Sequence, residues 1–444
     1  MGLLDLFKPS PFIQEIKDKK VVDKKYWHWR IRVFYSMYIG YAFFYFTRKS
    51  FTFAMPAMIQ DLGFDKAELG MLGSILSISY GLSKFVSGIM SDRSNPRYFM
   101  SIGLILTGVF NILFGFSSTL ILFAIFWGLN GWFQGWGWPP CAKLLTHWYS
   151  QSERGRWWSI WNTSHNVGGF IIPIVASAIA QYVGWRYSMY VPGVACIMVG
   201  FFLLNRLRDT PQSLGLPPIE KFKDDYPTSS HRLDKRERLT TKEILFEYVL
   251  KNKYVWILSI AYLFVYIVRT AINDWSLVFL VETKGYSLVK AGIAVSWFEV
   301  GGFFGSLAAG WSSDYLFKGK RGPVNTIFAA LVAVAVFAMW KDPYEKVLVD
   351  SIIIFFIGFF VFGPQMMIGM AVAELSHKKA AGTATGFAAI FAYVFGATIA
   401  GGPLGRMIDK LGWNGFFIIV FTCALLSVAF LLPLWNVKAN THSN

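Results

Sequence analysis

Long apolar runs dominate this chain and restrict it to a membrane fold. At 1.5 Å per residue, a helix of about 20 apolar residues crosses the roughly 30 Å hydrocarbon core of a bilayer. The 444 residues are 55% hydrophobic and only 15% charged, a composition typical of polytopic membrane proteins. We predict twelve membrane-spanning helices, spans 1 to 12, over residues 31–58, 67–91, 97–116, 119–147, 155–183, 187–205, 254–281, 287–314, 323–340, 347–374, 381–408 and 414–436.

Two patterns of the first half of the chain recur in the second half with their spacing kept. One pattern is Tyr41, Phe43, Tyr45 and Arg48, which returns as Tyr262, Phe264, Tyr266 and Arg269. The other is Gly88-x-x-x-Asp92, which returns as Gly310-x-x-x-Asp314. Such a repeat is typical of transporters built from two similar halves. We therefore predict an all-α membrane protein with two six-helix halves, 31–205 and 254–436, and a central cavity between them.

Lysine and arginine collect in the loops on one side of the predicted spans. By the positive-inside rule that side is cytoplasmic, so both termini are predicted to be cytoplasmic. The segments outside the halves are then an N-terminal segment, 1–30, a linker, 206–253, and a tail, 437–444. Prolines predict an extended first part of the linker. Thr240-Thr-Lys-Glu243 predicts a capping box that opens a short amphipathic helix on the membrane surface.

Several function classes are excluded or disfavoured. The net charge of +16 suggests contact with anionic lipid rather than nucleic acid, because the charges lie in loops and linker. The three cysteines have no CxxC spacing and the six histidines no ligand spacing, so we expect no metal site, cofactor or disulfide framework. No nucleophile and base pair occurs at membrane depth, which argues against an enzyme. No signal peptide is evident.

Buried cations are the main functional signal. An arginine at mid-span costs at least about 2.5 to 3.5 kcal/mol, so Arg48 must face protein or a water-filled cavity. Polar and aromatic residues share helix faces with the buried cations in four spans. These residues are Tyr41 and Tyr45 with Arg48 in span 1, Tyr80 with Lys84 in span 2, Trp161 with His165 in span 5, and Tyr262, Tyr266 and Asn273 with Arg269 in span 7.

Few acidic residues lie within the predicted spans to pair with these cations. Glu299 lies in span 8 and Asp274 lies near Arg269, so a structural ion pair of Arg269 with either acid is one interpretation. Spans 1 to 6 carry acids only at their ends, which favours an anionic substrate as the counter-ion of Arg48 and Lys84. Arginine at both repeated positions favours bidentate binding of phosphate or carboxylate.

Longer motifs carry a family resemblance. The loop from Gly88 to Arg97, with Asp92 and Arg93, resembles the cytoplasmic signature loop of the major facilitator superfamily. The stretches Gly131–Lys143 and Trp161–Gly169 resemble the organophosphate:phosphate antiporter family within it. Three further motifs are similar to UhpC-type hexose-phosphate transporters and sensors. They are Phe46-Thr-Arg-Lys-Ser50, Ser91-Asp-Arg-Ser-Asn95 and Ala271-Ile-Asn-Asp-Trp275.

The resemblance implies a monomeric hexose-6-phosphate:inorganic phosphate antiporter of the bacterial inner membrane that works by alternating access. It implies a phosphate site formed by Arg48 and Arg269, with Lys84 and His165 in the same cavity, and a gating role for Asp92, Arg93 and Asp314. Candidates for packing the sugar ring are Trp138, Trp161, Tyr266, Phe387 and Phe391.

One departure leaves the sugar open. Some hexose-phosphate carriers of this family have an aspartate and a lysine one turn apart in span 11, where this chain has Thr385 and Ala388. Two other functions also remain open. One is a receptor for external glucose-6-phosphate that signals to a sensor kinase, and the other is a proton-coupled organic anion symporter that uses Glu299 or Asp274.

Overall fold

The computed structural model describes residues 7–92, 94–225, 244–376 and 380–437, and these residues contain helices and no strand. For seven residues within those ranges only the backbone is described, namely Phe85, Ile89, Asp92, Gln151, Ile244, Ala381 and Gly382. The helices of the first half and the linker are α1 (Lys19–Leu62), α2 (Lys66–Asp92), α3 (Pro96–Phe116), α4 (Leu120–Gln134), α5 (Trp138–Trp148), α6 (Gln151–Tyr182), α7 (Tyr187–Arg206) and α8 (Ile219–Lys223).

The helices of the second half are α9 (Lys253–Lys284), α10 (Leu288–Trp311), α11 (Arg321–Lys341), α12 (Val347–Leu375), α13 (Ala381–Ala389), α14 (Thr398–Ala400) and α15 (Gly402–Leu431). Segments of π-helix cover Ile244–Leu250, Ser312–Leu316 and Ile390–Ala397. Side-chain caps start several helices. Asn252 accepts a hydrogen bond from the Tyr254 amide at 3.0 Å, and Ser287 accepts one from the Lys290 amide at 3.4 Å.

Ten of the predicted spans coincide with membrane-length apolar helices, span 1 lies within the longer helix α1, and span 4 is corrected. In the described part of the chain, 9 helical stretches are long and apolar enough to cross a membrane, and the last, Thr383–Leu434, covers both span 11 and span 12. Gly412, at φ 65°, separates those two spans. Span 4, predicted as one helix, is broken between α4 and α5. Pro139 and Pro140 lie in the first turn of α5, where the missing N–H of proline costs least.

The chain packs as two compact units. The first consists of Met1–Ser50, Leu82–Gly169 and Met189–Glu237, and the second of Phe51–Gly81, Phe170–Ser188 and Arg238–Asn444. In the second unit α10 and α12 cross closely. A Cβ atom on Gly301 would lie 1.9 Å from the Phe355 carbonyl oxygen, so only glycine permits this approach.

The prolines predicted an extended first part of the linker, and this prediction is wrong. This part of the linker packs against the N-terminal segment within the first unit. Pro211 opens a turn of 3-10 helix, Pro211–Leu214, because its fixed φ suits a first helical position. The Ile13 amide donates to the Gln212 carbonyl at 3.2 Å. The Tyr26 hydroxyl donates to the Pro217 carbonyl at 2.6 Å, and burial raises the pKa of Tyr26. The predicted capping box, Thr240–Glu243, lies outside the described residues.

Candidate functional site

Arg48 lies in α1 and is contacted from α4. Its Nε atom donates a hydrogen bond to Oε1 of Gln134 at 3.3 Å. Its guanidinium carbon lies 4.8 Å from the centroid of the Tyr45 ring. A hydrogen bond together with an aromatic face orients the planar guanidinium, the group that binds phosphate through paired N–H donors.

Gln134 is the centre of a buried amide network in the first unit. Its Nε2 atom donates to Oγ1 of Thr47 at 2.9 Å and to Oδ1 of Asn130 at 3.1 Å. Asn130 in turn donates to Oδ1 of Asn111 at 3.3 Å, and Ser50 donates to the same oxygen at 3.2 Å. Gln134 is only 1% exposed. Sequence reasoning missed these amides, although buried side-chain amides in apolar spans are themselves a signal of a network.

The aromatic residues predicted on the α1 face lie beside His165. The centroid of the Tyr45 ring is 5.6 Å from that of His165 and 5.9 Å from that of Tyr41. Tyr41 also packs on Trp161, with centroids 4.9 Å apart. The structure therefore brings together the predicted faces of spans 1 and 5, and it buries Trp161 completely, at 0% exposure.

Lys84 lines a cavity of about 470 Å³ in the first unit. Its Nζ atom lies 5.7 Å from the centroid of the Trp138 ring. Lys143 also lines this cavity, and its Nζ atom donates to the Ser94 carbonyl at 2.6 Å. The other lining residues are Gly88, Pro139, Ala142, Thr146 and His147. Lys143 also pairs with the carboxylate of Asp209 at 3.6 Å, which compensates its positive charge.

Arg269 lies in α9 among aromatic rings. Its guanidinium carbon is 4.9 Å from the centroid of the Phe362 ring and 5.7 Å from that of Tyr266. The hydroxyl groups of Tyr266 and Tyr393 are hydrogen-bonded at 2.9 Å. Tyr262 packs on Tyr266, with centroids 4.9 Å apart. Sequence reasoning missed Phe362 and Tyr393 as neighbours of this cation.

The remaining predicted residues with described contacts or burial lie at several places in the second unit. Asn273 donates a hydrogen bond to Oδ1 of its neighbour Asp274 at 2.6 Å. Glu299 is buried in α10, at 1% exposure. Tyr80, a first-half residue in the second unit, packs on Tyr393 with centroids 5.6 Å apart. Phe387 and Phe391 pack on Trp256, with centroid distances of 5.1 and 5.9 Å.

One of the predicted gating residues forms a charge network. Arg321 donates to Oδ1 of Asp314 at 2.7 Å and pairs with Glu374 at 3.1 Å. Asp314 lies in the π-helical segment Ser312–Leu316 that follows α10, and the network connects this segment to the start of α11 and the end of α12. The side chain of Asp92 and the whole of Arg93 lie outside the described residues.

The described residues offer no metal centre. Among them no group of three or more His, Cys, Asp or Glu side chains lies close enough to hold an ion. Cys141, Cys196 and Cys423 are buried and not bonded in disulfides.

Comparison with known proteins identifies the family. The model of the Major Facilitator Superfamily matches residues 37–401. A "Probable hexose phosphate transport protein" of Chlamydia pneumoniae is 60% identical, with 98% of each chain covered. The "Membrane sensor protein UhpC" of Escherichia coli K12 is 52% identical, with 95% of each chain covered. The named relatives are transport or sensor proteins, which confirms the expectation that the chain is not an enzyme.

A solved structure shows the same fold at low identity. It is a bacterial homologue of the human lysosomal transporter Spinster, with a TM-score of 0.73 and 15% identity over 92% of this chain and 97% of that one. The prediction of a multi-pass all-α fold is thus confirmed. This chain belongs to the Major Facilitator Superfamily.

Proposed function

We propose that this protein exchanges a hexose-6-phosphate, glucose-6-phosphate in the first instance, for inorganic phosphate by alternating access. The observation that carries the proposal is the pair of arginines at repeated positions of the two halves, each placed against aromatic rings. Both arginines are half-buried, and a phosphate monoester supplies two negative charges and several acceptor oxygens that match their N–H donors. The sugar-phosphate relatives supply the substrate class.

Each predicted residue then has a role. Arg48 and Arg269 both contribute to binding the phosphate group, and Lys84 and His165 assist from spans 2 and 5. Aromatic rings pack on the apolar faces of the sugar, with Trp138, Phe387 and Phe391 as candidates. Asp92, Arg93 and Asp314 affect the rate of reorientation more than the affinity.

Obligatory exchange follows from charge. In the empty carrier the arginines of the two halves are both positive, and their repulsion opposes reorientation. A bound phosphate monoester neutralises them, so the carrier reorients when it is loaded with either substrate. The distribution of lysine and arginine predicts that both termini lie in the cytoplasm, and the bacterial relatives support a location in the inner membrane.

The test is uptake of labelled glucose-6-phosphate into proteoliposomes that contain the purified protein. We expect uptake with phosphate loaded inside, no uptake without it, and a loss of about a hundredfold in the Arg48→Lys variant. Uptake that is driven by a pH gradient and needs no internal phosphate would contradict antiport and favour a proton symporter.

A receptor is the second candidate, because one relative is a membrane sensor protein that is 52% identical. A receptor binds external glucose-6-phosphate and passes the signal to a sensor kinase without net flux. In the same proteoliposomes it would bind labelled sugar phosphate with an affinity that depends on Arg48, and it would give no exchange.

A further inference from the structure

Two helices start within the second unit, and the first amides of each donate hydrogen bonds to a side chain from the other half of the chain. These helices are α2, which is span 2, and α10, which is span 8, so they are equivalent in the sequence repeat. The first amides of an α-helix have no partner within the helix and need an acceptor from elsewhere. In both helices a side chain of the opposite half supplies this acceptor.

At the start of α2 the acceptor is Asp409 of α15. Its carboxylate accepts from the Lys66 amide at 3.4 Å and from the Ala67 amide at 2.8 Å. One turn earlier, Gly405 allows the backbones to meet, since a Cβ atom there would lie 2.2 Å from the Lys66 carbonyl oxygen. The Lys66 ammonium group also pairs with Glu282 of α9 at 3.1 Å.

At the start of α10 the acceptor is Gln181 of α6. Its Oε1 atom accepts from the Val289 amide at 3.0 Å. Small residues allow close approach at this contact as well, because a Cβ atom on Gly292 would lie 2.4 Å from Oγ of Ser177. Ser177 and Gln181 are one turn apart, as are Gly405 and Asp409.

The sequence repeat relates the two acceptors. Gln181 is followed three residues later by Gly184 and Trp185, and Asp409 by Gly412 and Trp413. Both glycines have positive φ, 120° and 65°, and both end the helix segment that carries the acceptor. The two contacts are therefore a matched pair, one from each half to the other.

We infer that Gln181 and Asp409 are positioning residues that hold the outer helix ends of the two halves together and must release before the carrier opens outward. The inference rests on the proposed alternating access and on the predicted orientation, which places these helix ends outside. Hydrogen bonds to helix-start amides suit this task, because each can be exchanged for water when the helices separate.

Removing one acceptor should raise the ratio of outward-open to outward-closed protein about fivefold, which corresponds to about 1 kcal/mol. Removing both should raise it about twenty-fivefold, since both contacts break in the same movement and their free energies add. The apparent affinity for external inorganic phosphate should rise with the outward-open fraction.

The experiment measures distances between spin labels at Asp61→Cys and Tyr344→Cys, in the full chain in lipid nanodiscs without substrate. Both sites are exposed, and the three native cysteines are buried, so labelling is selective. We expect the population with long distances to increase in Asp409→Ala and in Gln181→Ala, and to increase further in the double variant.

Conservative variants separate capping from other effects. Asp409→Asn and Gln181→Glu keep an acceptor oxygen and should retain the distances of the parent, as should Lys410→Ala, which removes an exposed neighbour of Asp409. Unchanged distances in both alanine variants would overturn the inference. So would an Asn variant that shifts the distances as much as the Ala variant does.

The proposed function can fail independently of this inference. The distance measurement needs neither a sugar phosphate nor exchange, so a receptor that moves in the same way would still show the shift. Conversely, the protein could exchange phosphate normally while the spin-label distances in the alanine variants equal those of the parent. That result would support the proposed function and overturn this role of Gln181 and Asp409.

Discussion

The two repeated arginines differ in what surrounds them. Arg48 donates a hydrogen bond to Gln134 of span 4, inside a network of buried amides. Arg269 faces the ring of Phe362 of span 10 at 4.9 Å, with Tyr266 close by. Spans 4 and 10 are equivalent in the repeat, so each arginine is contacted from the matching helix, once by an amide and once by a phenyl ring.

This difference allows the effect of a guanidinium group's charge to be tested separately from the effect of its orientation. A hydrogen bond to an amide constrains the direction of one N–H group, whereas an aromatic face attracts the cation and constrains its direction less. We therefore expect the Gln134 amide to fix the direction of the Arg48 fork, and the ring of Phe362 to contribute attraction to the charge of Arg269. Four sets of substitutions test this contrast, in order of decreasing effect.

Replacing either arginine by lysine should have the largest effect. Arg48→Lys and Arg269→Lys keep the charge but lose the paired donors, a loss of about 3 kcal/mol or about a hundredfold in exchange. The measurement is phosphate exchange in proteoliposomes at equal amounts of inserted protein. Arg406→Lys, at an exposed position, is the matched control. Near-normal exchange in either lysine variant would remove that arginine from the phosphate site.

Gln134→Leu should weaken phosphate binding about tenfold, because a hydrogen bond to a charged group contributes about 1.5 kcal/mol. The loss should appear in the apparent affinity for phosphate, measured by competition with labelled sugar phosphate. Gln60→Leu, at an exposed position near the end of α1, is the control. Unchanged affinity in Gln134→Leu would show that the amide network does not orient Arg48.

Phe362→Leu should reduce affinity about fivefold, since a cation–π contact of this kind contributes about 1 kcal/mol. Phe362→Tyr keeps an aromatic face and should retain the affinity of the parent. If the tyrosine variant lost as much as the leucine variant, packing rather than the aromatic face would explain the effect, and the contrast with Gln134 would weaken.

Tyr266→Phe should have the smallest effect, a loss of about threefold in exchange. It removes the hydrogen bond to Tyr393, which contributes about 0.5 to 1 kcal/mol, and leaves the ring beside Arg269. Tyr393→Phe should match it, and the double variant should lose no more than either single one. Additive losses would mean that each hydroxyl acts separately, for example on substrate.

Several features of the site were predictable from sequence and others were not. Arg48, Arg269 and Lys84 stood out because a cation in an apolar span is costly wherever the helix lies. The contacts of Tyr41, Tyr45, Trp161 and His165 were partly predictable, since helical periodicity places residues on one face. Gln134 and Phe362 were not, because nothing local in sequence says which distant helix reaches an arginine.

The break of span 4 is a second example of a feature that local sequence did not predict. The prolines after Gly137 were visible in the sequence, but the apolar run continued through them and predicted one helix. The linker prolines predicted an extended chain, whereas in the structure Pro211 opens a helical turn that pairs with the N-terminal segment. Local signals mark where a helix stops, and the partner of the freed backbone comes from elsewhere in the chain.

The sequence by itself determined the membrane fold, the two-half repeat, the cations within apolar spans and the family, because hydropathy, spacing and motif are properties of short segments. Only the tertiary structure decided that an amide orients Arg48, that rings surround Arg269, and that Gln181 and Asp409 accept hydrogen bonds from helices of the opposite half. Each of these contacts joins residues far apart in the chain, and helix packing alone decides which side chains meet.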